Sequence, residues 1–186
     1  MADGVVIRDQ FLAPSRVRAL LDCAHSRRER GDFDPARIGS DRTLQRREDI
    51  RGDSICWMAP PLLAAETALL DELERVRLEF NREGLLGLID LELHYAWYRP
   101  GAGYARHVDQ PRGRTQRRVS LVLYLNEDWN PGAGGVLRIF DSNDHYRDVE
   151  PIAGRLVCFL TAGREHEVLP TRQHRLSISG WFRVRD

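Results

Sequence analysis

The segment GYARHVDQP, Gly103–Pro111, places a histidine and an aspartate two residues apart. Side chains at positions i and i+2 of an extended chain project from the same face. A strand through this segment would therefore present the His107 imidazole and the Asp109 carboxylate side by side. Two interpretations are open at this point. The pair supplies two ligands of a metal ion, or it is a hydrogen-bonded pair on an ordinary surface strand.

A third ligand candidate is His166, in the later segment GREHEVLP. Two histidines and one carboxylate on one face of a metal ion leave three coordination positions open, which is the geometry of non-haem Fe(II) oxygenases. A structural zinc site favours four protein ligands, and these usually include thiolates. Cys23, Cys56 and Cys158 are far apart and form no C-x-x-C motif, so they predict neither a zinc ribbon nor a disulfide framework.

An arginine near the end of the sequence changes the balance between these interpretations. If RLSISGW is a strand, one face is apolar and the other is small and polar around the arginine; the polar face carries Arg175, Ser177, Ser179 and Trp181. A guanidinium presents paired planar donors that match a carboxylate. An arginine at the floor of a metal cavity therefore indicates a dicarboxylate that chelates the metal at its other end. The alternative is an exposed arginine on an edge strand.

Three tyrosines accompany these residues. Tyr124 lies on the less apolar face of SLVLYLN, from which its hydroxyl can donate to the same carboxylate. Tyr98 and Tyr104 flank the turn RPGAG, just before the H-x-D segment. Each of the three is also explained by packing alone. No catalytic role is assigned to the remaining histidines, which have no partner at a telling spacing: His25, His94, His145 and His174.

Helices are predicted early in the chain and strands late. One helix is expected from Pro14 to about Arg28 and another from Pro60 to about Arg82, with the long polar stretch Gly31–Asp53 between them. A polar stretch of this length is typical of a functional lid or of disorder. Short strands are predicted in GVVIRDQF and SICWM, and eight more follow Gly84, separated by Gly, Pro, Asn and Asp.

This order of elements predicts an α+β protein with a double-stranded β-helix, or jelly roll, in its C-terminal two thirds. We expect one domain over residues 1–186. Residues 1–83 form the helical support, with a loop at 31–53, and residues 84–186 form the jelly-roll core. The two helices are expected to cover one face of a sheet.

The composition argues against nucleic-acid and membrane partners. Basic and acidic side chains number 28 each, so no net field attracts either partner. The sequence has no continuous apolar run long enough for a membrane span and no signal-peptide pattern at its start, so a cytoplasmic location with reduced cysteines is expected.

Several blocks together resemble the Fe(II)/2-oxoglutarate oxygenases, and most closely the prolyl hydroxylases of the hypoxia-sensing Egl-nine type and their bacterial relatives; the blocks are DIRGDSICW, YRPGAGYARHVDQP, VLYLNEDW, GGVLRIFD, HEVLP and RLSISGWF. The resemblance implies that the iron ligands are His107, Asp109 and His166. It implies that Arg175 binds the distal carboxylate of 2-oxoglutarate, with Tyr124 beside it. It further implies a site lined by Tyr98, Tyr104 and Trp181, and a substrate loop with Arg51 and Asp53 at its base.

The function implied by the resemblance is hydroxylation of a prolyl residue in a protein substrate. Its cofactors are Fe(II), 2-oxoglutarate and dioxygen, with ascorbate as a candidate reductant. The loop at 31–53 is the expected contact with the substrate, and the bacterial relatives point to a translation factor such as elongation factor Tu. Two alternatives remain open: the same chemistry on a free amino acid or another small molecule, and a non-catalytic metal-binding interaction domain.

Overall fold

A computed structural model describes residues 4–38, 45–110 and 116–185. Two helices and eleven strands occur in these ranges. Their bounds in chain order are β1 (Val5–Arg8), α1 (Pro14–Glu29), β2 (Asp34–Pro35), β3 (Asp53–Trp57), α2 (Ala64–Gly84), β4 (Asp90–Tyr98), β5 (Tyr104–His107), β6 (Arg117–Tyr124), β7 (Leu137–Phe140), β8 (Tyr146–Val149), β9 (Leu156–Leu160), β10 (His166–Val168) and β11 (Arg175–Arg183).

The strands form two antiparallel sheets that face each other. The larger has the order β1-β9-β6-β11-β4-β3-β2, and the smaller has the order β5-β10-β7-β8. Side chains from both sheets meet between them in one apolar cluster, which includes Tyr98, Tyr124 and Phe159 from the large sheet and Ile139 and Val168 from the small one. The predicted α+β jelly roll is therefore confirmed. That residues 1–186 form a single domain stays a prediction.

Both helices pack on the outer face of the large sheet, as expected. Helix α1 begins at Pro14, whose fixed φ and missing N–H suit a first helical turn. The prediction for the start of α2 was wrong: the helix begins at Ala64 rather than Pro60, and the N–H of Leu63 is capped by the Glu66 carboxylate at 2.9 Å. In the described ranges, neither helix is long and apolar enough to cross a membrane.

A buried ion pair ties the two helices to the large sheet. Nε and Nη2 of Arg27 on α1 each donate to a carboxylate oxygen of Glu66 on α2, both at 2.7 Å. The hydroxyl of Tyr95 on β4 donates to the same carboxylate at 3.1 Å. The Glu66 side chain is fully buried. Its negative charge is balanced by the Arg27 guanidinium, because two parallel hydrogen bonds join the two groups.

The polar stretch Gly31–Asp53 is more ordered than its composition predicts. Its residues Asp34 and Pro35 form β2, which pairs with β3, and Ile38 pairs with Gln45 through an isolated bridge. Residues 39–44 lie outside the described ranges. The stretch is therefore held to the edge of the large sheet, because backbone pairing with β3 supplies the hydrogen bonds that its side chains do not indicate.

Every basic side chain in this sequence is an arginine, since none of the 28 is a lysine. The planar guanidinium can bind a carboxylate through two parallel hydrogen bonds, and several pairs in the fold do so. Arg51 binds Asp53, Arg138 binds Asp148, and Arg183 binds Asp90 in this way.

Replacement of Glu66 by alanine is expected to lower the free energy of unfolding by about 3–5 kcal/mol, because the buried Arg27 cation loses its bidentate partner and keeps only the more distant Asp32, at 4.0 Å. Urea denaturation measures the change. The control is Glu74→Ala, which removes an exposed partner of Arg77 on the same helix and should cost no more than about 0.5 kcal/mol. Equal losses in the two variants would contradict the role given to burial.

Candidate active site

The pairing of β5 with β10 brings two histidines together. His107 ends β5 and His166 begins β10, and the two are direct partners in the antiparallel register. A glycine allows the strands to approach, because a Cβ atom at Gly103 would lie only 2.7 Å from the Val168 carbonyl oxygen. The centroids of the two imidazole rings are 4.2 Å apart.

Asp109 joins the histidines by a different route from the one predicted. Strand β5 ends at His107, and the chain bends at Asp109, so alternation along a strand does not place the carboxylate. The bend brings Oδ1 to 3.4 Å from His107 Nε2 and Oδ2 to 3.5 Å from His166 Nε2. One ligand atom from each of the three residues lies within 4.8 Å of the others, so they can hold a metal ion together.

Hydrogen bonds to carbonyl oxygens fix the orientation of both imidazoles. Nδ1 of His107 lies 2.8 Å from the Ala105 oxygen, and Nδ1 of His166 lies 3.2 Å from the Arg164 oxygen. A carbonyl oxygen only accepts, so Nδ1 carries the proton in each ring and the Nε2 lone pair is free for a metal. The ring of Tyr104 stacks on His107, with centroids 3.6 Å apart.

The protonation states favour a charged carboxylate in the cluster. Burial acts to raise the pKa of Asp109, but the two imidazoles outweigh it and hold that pKa well below its usual range. Burial opposes a charge on His166 as well, yet the Asp109 carboxylate raises its pKa overall. Burial lowers the pKa of His107. An ionised carboxylate beside two imidazoles is the donor set that a divalent transition metal needs.

A buried cation faces the same cavity from its inner end. Arg175 is 1% exposed, and its Nε donates to the Gly135 carbonyl oxygen at 2.8 Å. No acidic side chain pairs with it among the residues the structure describes. The rings of Tyr98 and Tyr124 lie 5.0 and 5.2 Å from its guanidinium carbon. A buried charge without a counter-ion is costly, so this position favours an anionic ligand.

Tyr124 adds a polar atom that also lacks a partner. Its hydroxyl is buried and makes no hydrogen bond within the described part of the chain. Burial raises its pKa to about 12, so it stays a neutral donor in neutral solution. A carboxylate held by Arg175 would satisfy both groups, since one presents a cation and the other an unused O–H.

Two connected spaces surround these groups. The inner cavity, of about 60 Å³, brings together seven of the eight residues singled out in the sequence, namely Tyr98, Tyr104, His107, Asp109, His166, Arg175 and Trp181. Tyr124 is not part of that lining and reaches the site through Arg175. The outer space is a cleft of about 1310 Å³ that shares Tyr104, His107, Asp109 and Trp181 with the cavity. The three candidate metal ligands therefore lie where the cleft narrows towards the inner cavity.

Comparison with known proteins agrees with this geometry. Residues 93–183 match the model of the 2OG-Fe(II) oxygenase superfamily. Mouse prolyl hydroxylase EGLN3 is 30% identical over 96% of this chain and 78% of its own length. The chain belongs to this superfamily. Human Egl nine homolog 1 is 31% identical over 96% of the chain, but the chain spans only 43% of that relative, and about half of its rat and mouse counterparts.

Two solved structures share the whole fold of this chain. A prolyl-4-hydroxylase from Pseudomonas putida superposes with a TM-score of 0.90 and 43% identity, covering 99% of this chain and 94% of the other. A prolyl hydroxylase from Trichoplax adhaerens, solved with a peptide fragment of the hypoxia-inducible factor oxygen degradation domain, gives a TM-score of 0.88 and 28% identity, covering 97% and 84%. The resemblance to Egl-nine-type prolyl hydroxylases is therefore confirmed.

The superfamily implies Fe(II), 2-oxoglutarate and dioxygen, and the residues of this chain fit them. Two imidazole nitrogens and one carboxylate oxygen suit Fe(II) and leave coordination positions open. The unpaired Arg175 guanidinium and the unused Tyr124 hydroxyl suit the distal carboxylate of 2-oxoglutarate.

Sequence reasoning missed one residue of the candidate site, His94. It is 3% exposed and lines both spaces, with its ring 4.9 Å from that of Trp57 and stacked on that of Trp181 at 5.5 Å. Its Nδ1 has no hydrogen-bond partner in the described ranges. Period-two alternation along β4 could have found it, because His94 and Tyr98 project from the same face of that strand.

Burial lowers the pKa of His94 to about 4, from 6.5 for a free imidazole, so the fold holds this ring neutral. The unfolded chain binds the proton more readily, so the resulting stability is complete above about pH 6.5 and is lost as the pH falls towards 4. The loss amounts to about 3 kcal/mol.

Urea denaturation at several pH values between 7 and 4 should show this loss in the parent protein and a smaller one in His94→Gln. The control is His145→Gln, which removes an exposed imidazole and should keep the parent's pH dependence. A His94→Gln variant with the parent's full loss between pH 6.5 and 4 would contradict the prediction.

Proposed function

We propose that this protein is a prolyl hydroxylase that uses Fe(II), 2-oxoglutarate and dioxygen to hydroxylate a proline in a protein substrate. The observation that carries the proposal is the buried Arg175, which has no acidic partner in the described residues and shares a cavity with the His107, Asp109 and His166 cluster. A metal site by itself requires no buried cation. A cosubstrate with a second carboxylate does, because that carboxylate must be neutralised away from water.

Each residue then has a defined role. His107, Asp109 and His166 hold the iron. Arg175 binds the distal carboxylate of 2-oxoglutarate through its remaining N–H donors, and the Tyr124 hydroxyl donates to the same group. The bound iron and cosubstrate supply the oxidation of a substrate C–H bond, while the protein supplies binding, orientation and exclusion of water.

Aromatic side chains enclose the iron site. The Tyr104 ring stacks on His107 and holds that ligand in place. Tyr98 is 3% exposed and covers Arg175, and Trp181 is 7% exposed at the junction with the cleft. Water excluded from the site cannot compete for the carboxylate of the cosubstrate, and electrostatic attraction to Arg175 is stronger in this low-dielectric setting.

The cleft supports a protein substrate. Its volume of about 1310 Å³ exceeds the range typical of small-molecule pockets, about 300–1,000 Å³. Trp57 is 47% exposed on its wall and offers a flat apolar ring against which a proline ring can pack. The 31–53 segment contributes Asp32, Asp34 and Arg37 to the lining, so we propose it as a substrate contact.

The relatives support a protein substrate. The Trichoplax hydroxylase was solved with a peptide fragment of the hypoxia-inducible factor oxygen degradation domain, and the Pseudomonas relative is a prolyl-4-hydroxylase. The resemblance to bacterial enzymes of this type makes elongation factor Tu the first candidate to test. The large volume of the cleft and the exposed Trp57 ring favour a protein over a free amino acid as substrate.

Replacement of Arg175 by glutamine is expected to weaken 2-oxoglutarate binding by about 2–4 kcal/mol, because the buried carboxylate loses a charged, hydrogen-bonded partner. Titration calorimetry with Mn²⁺ in place of iron measures binding without turnover. The matched control is Arg183→Gln on the same strand, which loses its pairs with Asp90 and Glu92 and should keep the parent affinity. Unchanged affinity in the Arg175 variant would refute its assignment.

Proteome mass spectrometry identifies the substrate. A lysate incubated with iron, 2-oxoglutarate and this protein should show a gain of one oxygen on a single proline of one protein, with elongation factor Tu inspected first. Asp109→Ala should give no gain, because a metal ligand is lost, whereas Asp148→Ala removes an exposed carboxylate on β8 and should behave like the parent.

Other outcomes select the alternatives. Consumption of 2-oxoglutarate only when small metabolites are added, without any modified protein, would identify a small-molecule oxygenase. Tight binding of metal with no consumption under any condition would identify a non-catalytic domain. Full activity in Asp109→Ala would contradict the metal-ligand assignment itself.

A further inference from the structure

Two buried hydroxyl groups continue inward from the Asp109 carboxylate. Ser120 Oγ donates to Asp109 Oδ2 at 2.8 Å. Ser120 Oγ also lies 3.0 Å from Thr161 Oγ1. Ser120 is 2% exposed and Thr161 is fully buried, so both hydroxyls depend on protein partners for their hydrogen bonds. Ser120 is on β6, and Thr161 follows β9 directly.

The direction of these hydrogen bonds is determined by the charge on Asp109. An ionised carboxylate only accepts, so the single hydroxyl proton of Ser120 is directed to Asp109. Ser120 must then accept from Thr161, which leaves one arrangement, Thr161 to Ser120 to Asp109. Successive hydrogen bonds in one direction polarise and strengthen one another, most effectively in a buried setting.

The same threonine also anchors the segment that carries His166. Its carbonyl oxygen accepts the Arg164 N–H at 3.3 Å, and the Arg164 carbonyl oxygen accepts from His166 Nδ1 at 3.2 Å. The Thr161 N–H donates to the Arg118 carbonyl oxygen at 3.1 Å, which fixes the segment to β6. One series of hydrogen bonds therefore connects the side chains of Asp109 and His166 behind the site.

We propose that Ser120 and Thr161 are positioning residues that set the orientation of the Asp109 carboxylate relative to His166 and thereby determine metal affinity. The inference rests on the metal site of the proposed function. Ser120 prevents rotation of the carboxylate, and Thr161 couples that orientation to the turn before β10. Partners of metal ligands at this distance typically account for about 10–100-fold in metal affinity.

Replacement of Ser120 by alanine should weaken Mn²⁺ binding by about 10–100-fold. The electron paramagnetic resonance signal of free Mn²⁺ measures the affinity without turnover. Ser120→Thr keeps the hydroxyl and should stay close to the parent. Thr161→Val should weaken binding less than Ser120→Ala, and the double variant should lose little more than Ser120→Ala alone, because the two residues act in series.

Thr171→Val is the matched control. It also removes a buried threonine hydroxyl, which donates to the Gln173 carbonyl oxygen in another turn, and it should leave Mn²⁺ affinity unchanged. The absorption spectrum of bound Co²⁺ reports ligand geometry and should change in Ser120→Ala but not in Thr171→Val. Urea denaturation of each variant separates a loss of fold from a loss of ligand orientation.

The outcomes distinguish this inference from the proposed function. If the parent protein binds no Mn²⁺, the metal site and the proposed function both fail. If the parent binds Mn²⁺ and folded Ser120→Ala binds it equally well, the positioning role is refuted and the proposed function stands. If Ser120→Ala does not fold, Thr161→Val and Ser120→Thr decide: equal affinity in Thr161→Val and the parent refutes the inference.

Discussion

Strands β5 and β10 pair with His107 opposite His166, and the position of the whole site depends on this pairing. It is a backbone arrangement between segments far apart in sequence, and the absence of a side chain at Gly103 permits it. With the two imidazoles fixed, the bend after β5 brings the Asp109 carboxylate next to both of them. The large sheet then supplies further groups around the cluster: Ser120 from β6, His94 from β4 and Arg175 from β11.

The fold contains two buried arginines in opposite electrostatic situations. Arg27 is neutralised by Glu66 within the chain and joins the helices to the sheet. Arg175 is equally withdrawn from water, but no acid of the described chain neutralises it. The first arrangement contributes to stability when both partners are present, and the second costs stability until an anion arrives. A protein keeps such an uncompensated charge where ligand binding uses it, which connects the energetics of the fold with the proposed recognition of a dicarboxylate.

Sequence alone predicts much of this site because its chemistry is concentrated in a few segments. Period-two alternation correctly separated the faces of β11, with Arg175 on one and Ile178 on the other. It failed for Asp109, since a bend rather than a strand places that carboxylate. His94 was overlooked because its partners, Trp57 and Trp181, lie on neighbouring strands that only tertiary structure brings alongside. The start of α2 was misplaced because prolines at 60 and 61 look like an opening turn, whereas the Glu66 cap fixes the start of the helix at Ala64, four residues after Pro60.

The exclusive use of arginine has a consequence for alkaline solution. Lysine side chains lose their charge near pH 10, whereas a guanidinium stays charged beyond pH 12. The ion pairs that hold Asp53, Glu66 and Asp90 therefore keep both charges at pH values that would discharge lysine pairs. Burial also raises the pKa of the Cys158 thiol to about 12. The electrostatic framework of the chain is consequently tolerant of base, and its sensitivity lies on the acid side, where carboxylates and the interior histidine take up protons.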